Sequence, residues 1–125
     1  LLAEDHAVNQ MLAMRQLAKL GYEAVACNDG QQAIDELAKN DYDIVLMDCQ
    51  MPVIDGFEAT RAIRRNETQT GKHVTIVAMT ANAMEGDREM CLAAGMDDYL
   101  AKPVQMQTLR TVLERWGPER EAERR

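Results

Sequence analysis

The apolar residues of this chain switch repeatedly between two spacings, and that alternation restricts its fold more than any other feature. Two runs, "IVLM" at 44–47 and "VTIVAM" at 74–79, lack the polar alternation of a half-exposed strand. They suit parallel strands covered on both faces. Around them, apolar residues recur at three and four steps, as on one face of a helix. The first such stretch is 7–20 (Ala7, Met11, Met14, Ala18), stopped by Gly21, and the second runs through Ala33, Ile34, Leu37 and Ala38. A third (Phe57, Ala59, Thr60, Ile63) is expected to end near Arg65, leaving 66–73 as a polar connection. A fourth covers 84–94 before Gly95, and the fifth has the cleanest stripe: Met106, Leu109, Val112, Leu113, Trp116, closed by Gly117-Pro118. "LLA" before Glu4 reads as the first strand, "YEAVAC" at 22–27 as the second and 99–101 as the fifth.

Strands alternating with helices imply right-handed crossovers and a doubly wound parallel sheet. The expected fold is α/β and flavodoxin-like: one five-stranded parallel sheet in the order 2-1-3-4-5, with five helices. A length of 125 residues suits one domain. We assign it to 1–117, with 118–125 as a charged C-terminal tail or linker. The chain starts at Leu1 instead of Met, so it is expected to be a segment of a longer protein.

Composition excludes several functions. A net charge of −7 with no basic cluster outside the tail argues against direct nucleic-acid binding. No apolar stretch approaches the ~20 residues that span a bilayer, so membrane contact by this domain is not expected. Three cysteines (Cys27, Cys49, Cys91) without CxxC spacing argue against a disulfide framework or structural zinc and suit a reducing cytoplasm. His6 and His73 stand apart in sequence and read as ordinary loop residues. The nine methionines read mainly as core filler, and Phe57 as a core residue.

In sheets of this kind ligands bind beyond the carboxyl ends of the strands, at the switch point between strands one and three. Strand one ends in Glu4-Asp5, strand three in Asp48, strand four in Thr80 and strand five in Lys102. Strand two ends in an ordinary Asn28-Asp29-Gly30 turn. Any one of these groups alone reads as a capping or surface residue; the conjunction reads as a pocket. Two carboxylates about 4 Å apart repel by roughly 4 kcal/mol at an effective dielectric near 20, so Glu4, Asp5 and Asp48 call for a cation. All-oxygen ligands, few in number, suit Mg²⁺ better than Ca²⁺. Lys102 adds a second positive charge, placed to meet an anion that the metal also binds. A carboxylate, a metal, an ammonium and a hydroxyl around one point describe phosphoryl transfer with Asp48 as nucleophile.

The stretches "AEDHAVNQ", "DIVLMDCQMPVIDGFEATRAIR", "VAMTANAM" and "DDYLAKP", in that order and covering nearly the whole chain to Trp116, resemble a receiver domain of a two-component response regulator. The "VNQ" and "MDCQMPVIDGFEATRAIR" segments resemble most the receivers of hybrid sensor histidine kinases. The resemblance implies that Asp48 accepts a phosphoryl group from a phosphohistidine on a histidine kinase or histidine phosphotransfer domain. It implies Mg²⁺ held by Asp5, Asp48 and the backbone carbonyl of Gln50, with Glu4 acting through a metal-bound water. It further implies that Lys102 pairs with the phosphoryl group, that the Lys102-Pro103 peptide is cis, and that Thr80 and then Tyr99 swing inward as the switch. By the same resemblance, Gln50 and Asn82 occupy positions that in the family tune self-dephosphorylation. Met11 and Met14 lie where related receivers meet a four-helix partner, with one of them expected on the surface. The sequence departs from the usual pattern at His6, where Asn is usual, and Ile54, where Met is usual.

The alternatives are a stand-alone single-domain response regulator and an aspartyl-nucleophile phosphatase. The phosphatase would want a second acid two residues after Asp48, where this chain has Gln50. A flavin carrier would want a phosphate cradle after strand one, where Glu4-Asp5 would repel the phosphate. The expected location is the cytoplasm, either free or in the cytoplasmic part of a membrane-anchored sensor kinase.

Overall fold

The computed structural model describes residues 1–49, 51, 53–81, 85–102 and 104–116, without the side chains of 85–87. Gln50, Asn82, the 102–103 peptide, Met84 and the tail from 117 lie outside the described residues, as do the expectations attached to them. In chain order the elements are β1 (Leu2–Ala3), α1 (Ala7–Lys19), β2 (Ala26–Cys27), α2 (Gly30–Lys39), β3 (Ile44–Asp48), α3 (Gly56–Thr70), β4 (Thr75–Thr80), α4 (Glu85–Ala94), β5 (Asp98–Ala101) and α5 (Met106–Trp116). The five strands form one sheet in the order β2-β1-β3-β4-β5. All pairs are parallel. Fold class, strand order and helix count agree with the reading from sequence.

The uninterrupted apolar runs sit where both faces are covered. Val45, Met47, Ile76 and Ala78 face a core with Ala33 of α2, Ala59 and Ile63 of α3 and Cys91 of α4. Leu46, Val77 and Met79 face the opposite core, with Ala13 and Leu17 of α1 and Leu109, Val112 and Leu113 of α5. Burying each large side chain contributes about 1.5–3 kcal/mol, so the two middle strands anchor the fold. Phe57 is only partly buried, packed against the first core.

Three local expectations need correction. The second strand is confined to Ala26–Cys27, because β1 offers ladder partners only at Leu2 and Ala3. The turn after it is a helix cap: Asp29 accepts the backbone N–H of Gln32 at 2.8 Å and starts α2. Helix α3 continues past Arg65 to Thr70, through residues with no apolar stripe. Its last turns are held by polar contacts: Arg64 with Glu67, the Thr68 hydroxyl on the Arg65 carbonyl, and Gly71 as a left-handed C-cap at φ 77°.

Candidate functional site

Alternation along the strands brings the polar strand ends together. Leu2, Leu46 and Leu100 all belong to the α1/α5 core. Two residues further along each chain stand Glu4, Asp48 and Lys102, on the same side of the sheet by the two-residue period. The Lys102 ammonium lies 2.9 Å from Asp48 Oδ2 and 3.2 Å from Glu4 Oε1. One carboxylate oxygen from each of Glu4, Asp5 and Asp48 lies within 4.8 Å of the other two. Glu4 is 2 % and Asp48 3 % exposed, while Asp5 is exposed at the rim. The Lys102 side chain, 22 % exposed, is the other group of the cluster open to solvent. Asp48 is therefore more enclosed than a rim residue.

Thr80 and Tyr99 belong to the other face. Asp48 pairs with Met79 in the ladder, so Thr80 lies one step beyond it, and Tyr99 pairs with Ala78. Thr80, Ala78 and Tyr99 thus share the side of the sheet that packs α3 and α4. Tyr99 is half-buried, with the Arg88 guanidinium of α4 5.9 Å from its ring centre. Thr80 is buried, and its carbonyl accepts the N–H of Lys102 at 2.8 Å, tying the two strand ends together. Met11 is exposed and Met14 half-buried, as expected for one of them.

Two glycines admit the close packing this end requires. A Cβ on Gly56 would strike the Asp48 carbonyl oxygen and lie 2.9 Å from the Cys49 Cα. One on Gly30 would strike the Ile54 carbonyl and lie 3.0 Å from the Ala59 Cβ. Val53, 77 % exposed in the loop that follows β3, holds a left-handed φ of 70°, a strain of about 1–3 kcal/mol in a β-branched residue.

The electrostatics are lopsided. Three carboxylates face one ammonium, and an oxygen-only donor set of this charge fits a hard divalent cation. Burial pushes the Glu4 carboxyl above its usual range; the His6 N–H opposes that, the charge of Asp48 adds to it and Lys102 again opposes it. For Lys102 burial works against the charged form, yet the hydrogen bond and charge of Asp48, followed by those of Glu4, outweigh it and raise the pKa. A raised carboxyl pKa means that ionised Glu4 opposes folding: its favourable contribution is complete below the ordinary carboxylate range and is lost as pH rises through the folded value. The Lys102 contribution persists through neutral pH and is lost only in alkali, above the ordinary lysine value. Glu4→Gln is accordingly expected to raise the Tm of the metal-free chain at pH 7 and to leave it unchanged at pH 3. Thermal unfolding in chelator at both pH values measures this; destabilisation at pH 7 would contradict it.

Sequence reasoning missed two residues here. Gln10 donates from its side-chain amide to the strand ends beside Glu4, and Arg64 ties α3 to the far end of the sheet. Both stand inside the stretches that resemble receivers, but neither falls in an apolar pattern or at a strand end, so nothing there gave them a role. His73 is not isolated: its Nε2 lies 3.0 Å from Asp97.

Residues 1–114 match the family model described as response regulator receiver domain. The chain is a receiver domain. A receiver of a sensor histidine kinase from Pseudomonas aeruginosa, crystallised with a magnesium ion coordinated in the active-site cleft, is 50% identical with a TM-score of 0.83, the match covering 92% of this chain and 93% of that one. The yeast complex of the histidine phosphotransfer protein Ypd1 with the receiver domain of Ssk1 matches at 32% identity and a TM-score of 0.88, over 93% of this receiver and 86% of that chain. Hybrid signal transduction histidine kinase I of Dictyostelium discoideum is 45% identical over 118 residues, 90% of this chain and 7% of that protein. Sensor histidine kinase RcsC of Salmonella typhimurium is 42% identical over 113 residues, 90% of this chain and 12% of that protein. The receiver thus spans only a small part of the curated relatives it matches. Among the described residues no helix is long and apolar enough to cross a membrane.

Proposed function

We propose that this receiver accepts a phosphoryl group on Asp48 from a phosphohistidine of a histidine kinase or histidine phosphotransfer domain, as the relay module of a hybrid sensor kinase in the cytoplasm. The observation that carries the proposal is the Lys102 ammonium bridging two buried carboxylates, 2.9 Å from Asp48 and 3.2 Å from Glu4, with Asp5 completing the acidic cluster. The hybrid-kinase setting is supported by the relatives, and the donor by the likeness to a receiver solved with a phosphotransfer protein.

Asp5 and Asp48 would hold Mg²⁺, Glu4 would act through a water, and Gln50, outside the described residues, would complete the set with its backbone carbonyl. Bound there, Mg²⁺ supplies charge neutralisation at the phosphoryl oxygens. The chain does the rest. An Asp48 carboxylate oxygen forms the new O–P bond as the N–P bond of the phosphohistidine breaks; the electron pair leaves with the imidazole, which takes up a proton. Lys102, already at hydrogen-bond distance from Asp48, follows the negative charge onto the phosphoryl group. The enclosure of Asp48 limits water, which protects the acyl phosphate once formed. The product carries about 1.5 to 2 negative charges at pH 7 beside the end of β4. Thr80 donates its hydroxyl to that group, and Tyr99, on the same face of the sheet, turns inward and repacks α4, β5 and α5.

The test is incubation with Mg²⁺ and a small acyl phosphate or phosphoramidate. Mass spectrometry is expected to show one phosphoryl group per chain, stable in acid, labile in base and absent when chelator replaces Mg²⁺. Equal labelling in chelator, or none with Mg²⁺, would sink the proposal; catalytic release of phosphate from assorted esters would favour a phosphatase.

A further inference from the structure

We propose that Gln10 is the positioning residue of the acidic cleft: its side-chain amide fixes the short stretch of backbone that carries Asp5. The inference rests on the metal-binding reading of that cleft. Of the three clustered acids, Asp48 is held in the β3 ladder and Glu4 by Lys102. Asp5 has neither support: it is exposed, and its carboxylate makes no hydrogen bond to another described residue. Its place is set by the main chain on either side.

That main chain is bracketed by Gln10. The Gln10 Nε2 donates to the Glu4 carbonyl at 2.9 Å, and the Gln10 backbone N–H donates to the His6 carbonyl at 2.9 Å. Between them the His6 N–H donates to Glu4 Oε2 at 3.1 Å. The same Nε2 reaches the Cys27 carbonyl at 3.2 Å and Asn28 Oδ1 at 2.9 Å, so its two hydrogens serve three acceptors and one of them is shared between two. Two of the three acceptors are main-chain carbonyls, which fixes the amide with its nitrogen inward, since the flipped amide would set oxygen against oxygen.

The need for such a clamp follows from the shortness of β1. Its ladder with β2 ends at the Glu4 N–H, 3.1 Å from the Cys27 carbonyl, and the chain then leaves the sheet for α1. Gln10 supplies the cross-strand tie that the ladder no longer provides. The residue that formally caps α1, His6, makes no side-chain cap bond, so Gln10 is not simply duplicating a cap. Mg²⁺ demands near-ideal octahedral geometry at about 2.0–2.1 Å, so a backbone shift of a few tenths of an ångström at Asp5 is felt in affinity. Loss of a group that orients a ligand typically weakens metal binding about 10–100-fold.

The experiment is calorimetric Mg²⁺ titration of the full chain as wild type, Gln10→Met, Asp5→Asn and the double variant, with Tm in chelator as the control for folding. Gln10→Met is expected to weaken Mg²⁺ binding about tenfold or more, and to add no further weakening in the Asp5→Asn background. An unchanged affinity in Gln10→Met, or the same loss in both backgrounds, overturns the inference. Should Gln10→Met not fold, wild-type NMR decides: the Gln10 carboxamide protons must be slow to exchange and must shift with Mg²⁺, and fast exchange or no shift overturns it. Wild type that binds no Mg²⁺ overturns this inference together with the metal reading, whereas wild type that binds with Gln10→Met unaltered overturns this inference alone.

Discussion

Asp48→Asn is expected to abolish base-labile phosphate incorporation and to leave a folded domain. The amide has no carboxylate oxygen with which to attack phosphorus, so the expected effect is complete loss and not a slower rate. Shape is preserved, so the close approach of Gly56 to the Asp48 backbone and the ladder of β3 with β4 are undisturbed. Lys102 keeps Glu4 at 3.2 Å as its partner, which prevents a stranded ammonium. The other acids offer no substitute: Glu4, as buried as Asp48, is held by both Lys102 and the His6 N–H, and Asp5 sits at the rim without a cation beside it among the described residues. Label that persists in Asp48→Asn, at a level near wild type, would place the acceptor elsewhere and remove the role assigned to this carboxylate.

What the sequence made legible follows from the range over which each signal acts. The parallel sheet came from apolar runs, which depend only on residues adjacent in the chain, and its order from the order usual for doubly wound sheets of five strands. The meeting of Glu4, Asp48 and Lys102 was legible for the same reason, because each is the first polar group after an apolar strand. The extent of α3 was not. Residues 66–70 carry no apolar stripe, and their helix is held by Arg64, Glu67 and the Gly71 cap. The role of Gln10 was not legible, although it stands in the "VNQ" stretch, because its three acceptors lie at two separate places in the sequence, Glu4 and Cys27-Asn28. A carboxamide in a helix reads as a solvated residue until the strand ends beside it are known. The near-burial of Asp48 was likewise beyond sequence reasoning, since it depends on how far the neighbouring side chains reach over it.

Arg64→Met is expected to cost about 3–5 kcal/mol, lowering Tm by roughly 12–20 °C, and to leave phosphoryl acceptance by the folded fraction intact. The guanidinium is 17 % exposed and makes four contacts. Its Nε donates to the Gly95 carbonyl at 2.9 Å, Nη1 to Glu67 at 2.7 Å and the Val74 carbonyl at 2.8 Å, and Nη2 to Asp97 at 2.9 Å. Both carboxylates have second tasks. Glu67 accepts the Val74 N–H at 2.7 Å and Asp97 the Ile76 N–H at 2.9 Å, at the start of β4. Removing the guanidinium leaves two largely buried carboxylates with the exposed His73 imidazole beside them, and two carbonyls without their donor, the circumstance in which breaking an ion pair is most destabilising. Methionine refills much of the volume, so packing loss is the smaller part of the effect. The exposed pair Lys72–Asp41, also 2.9 Å apart, provides the contrast: Lys72→Met should change stability by less than about 1 kcal/mol, because water screens and competes for both partners. All of these contacts lie at the end of the sheet where β4 begins, whereas Asp48 and Lys102 stand at the ends of β3 and β5, which is why stability and phosphoryl acceptance should separate. Chemical denaturation of the two variants measures the difference; a loss of less than 1 kcal/mol in Arg64→Met would mean that water replaces the guanidinium at all four positions.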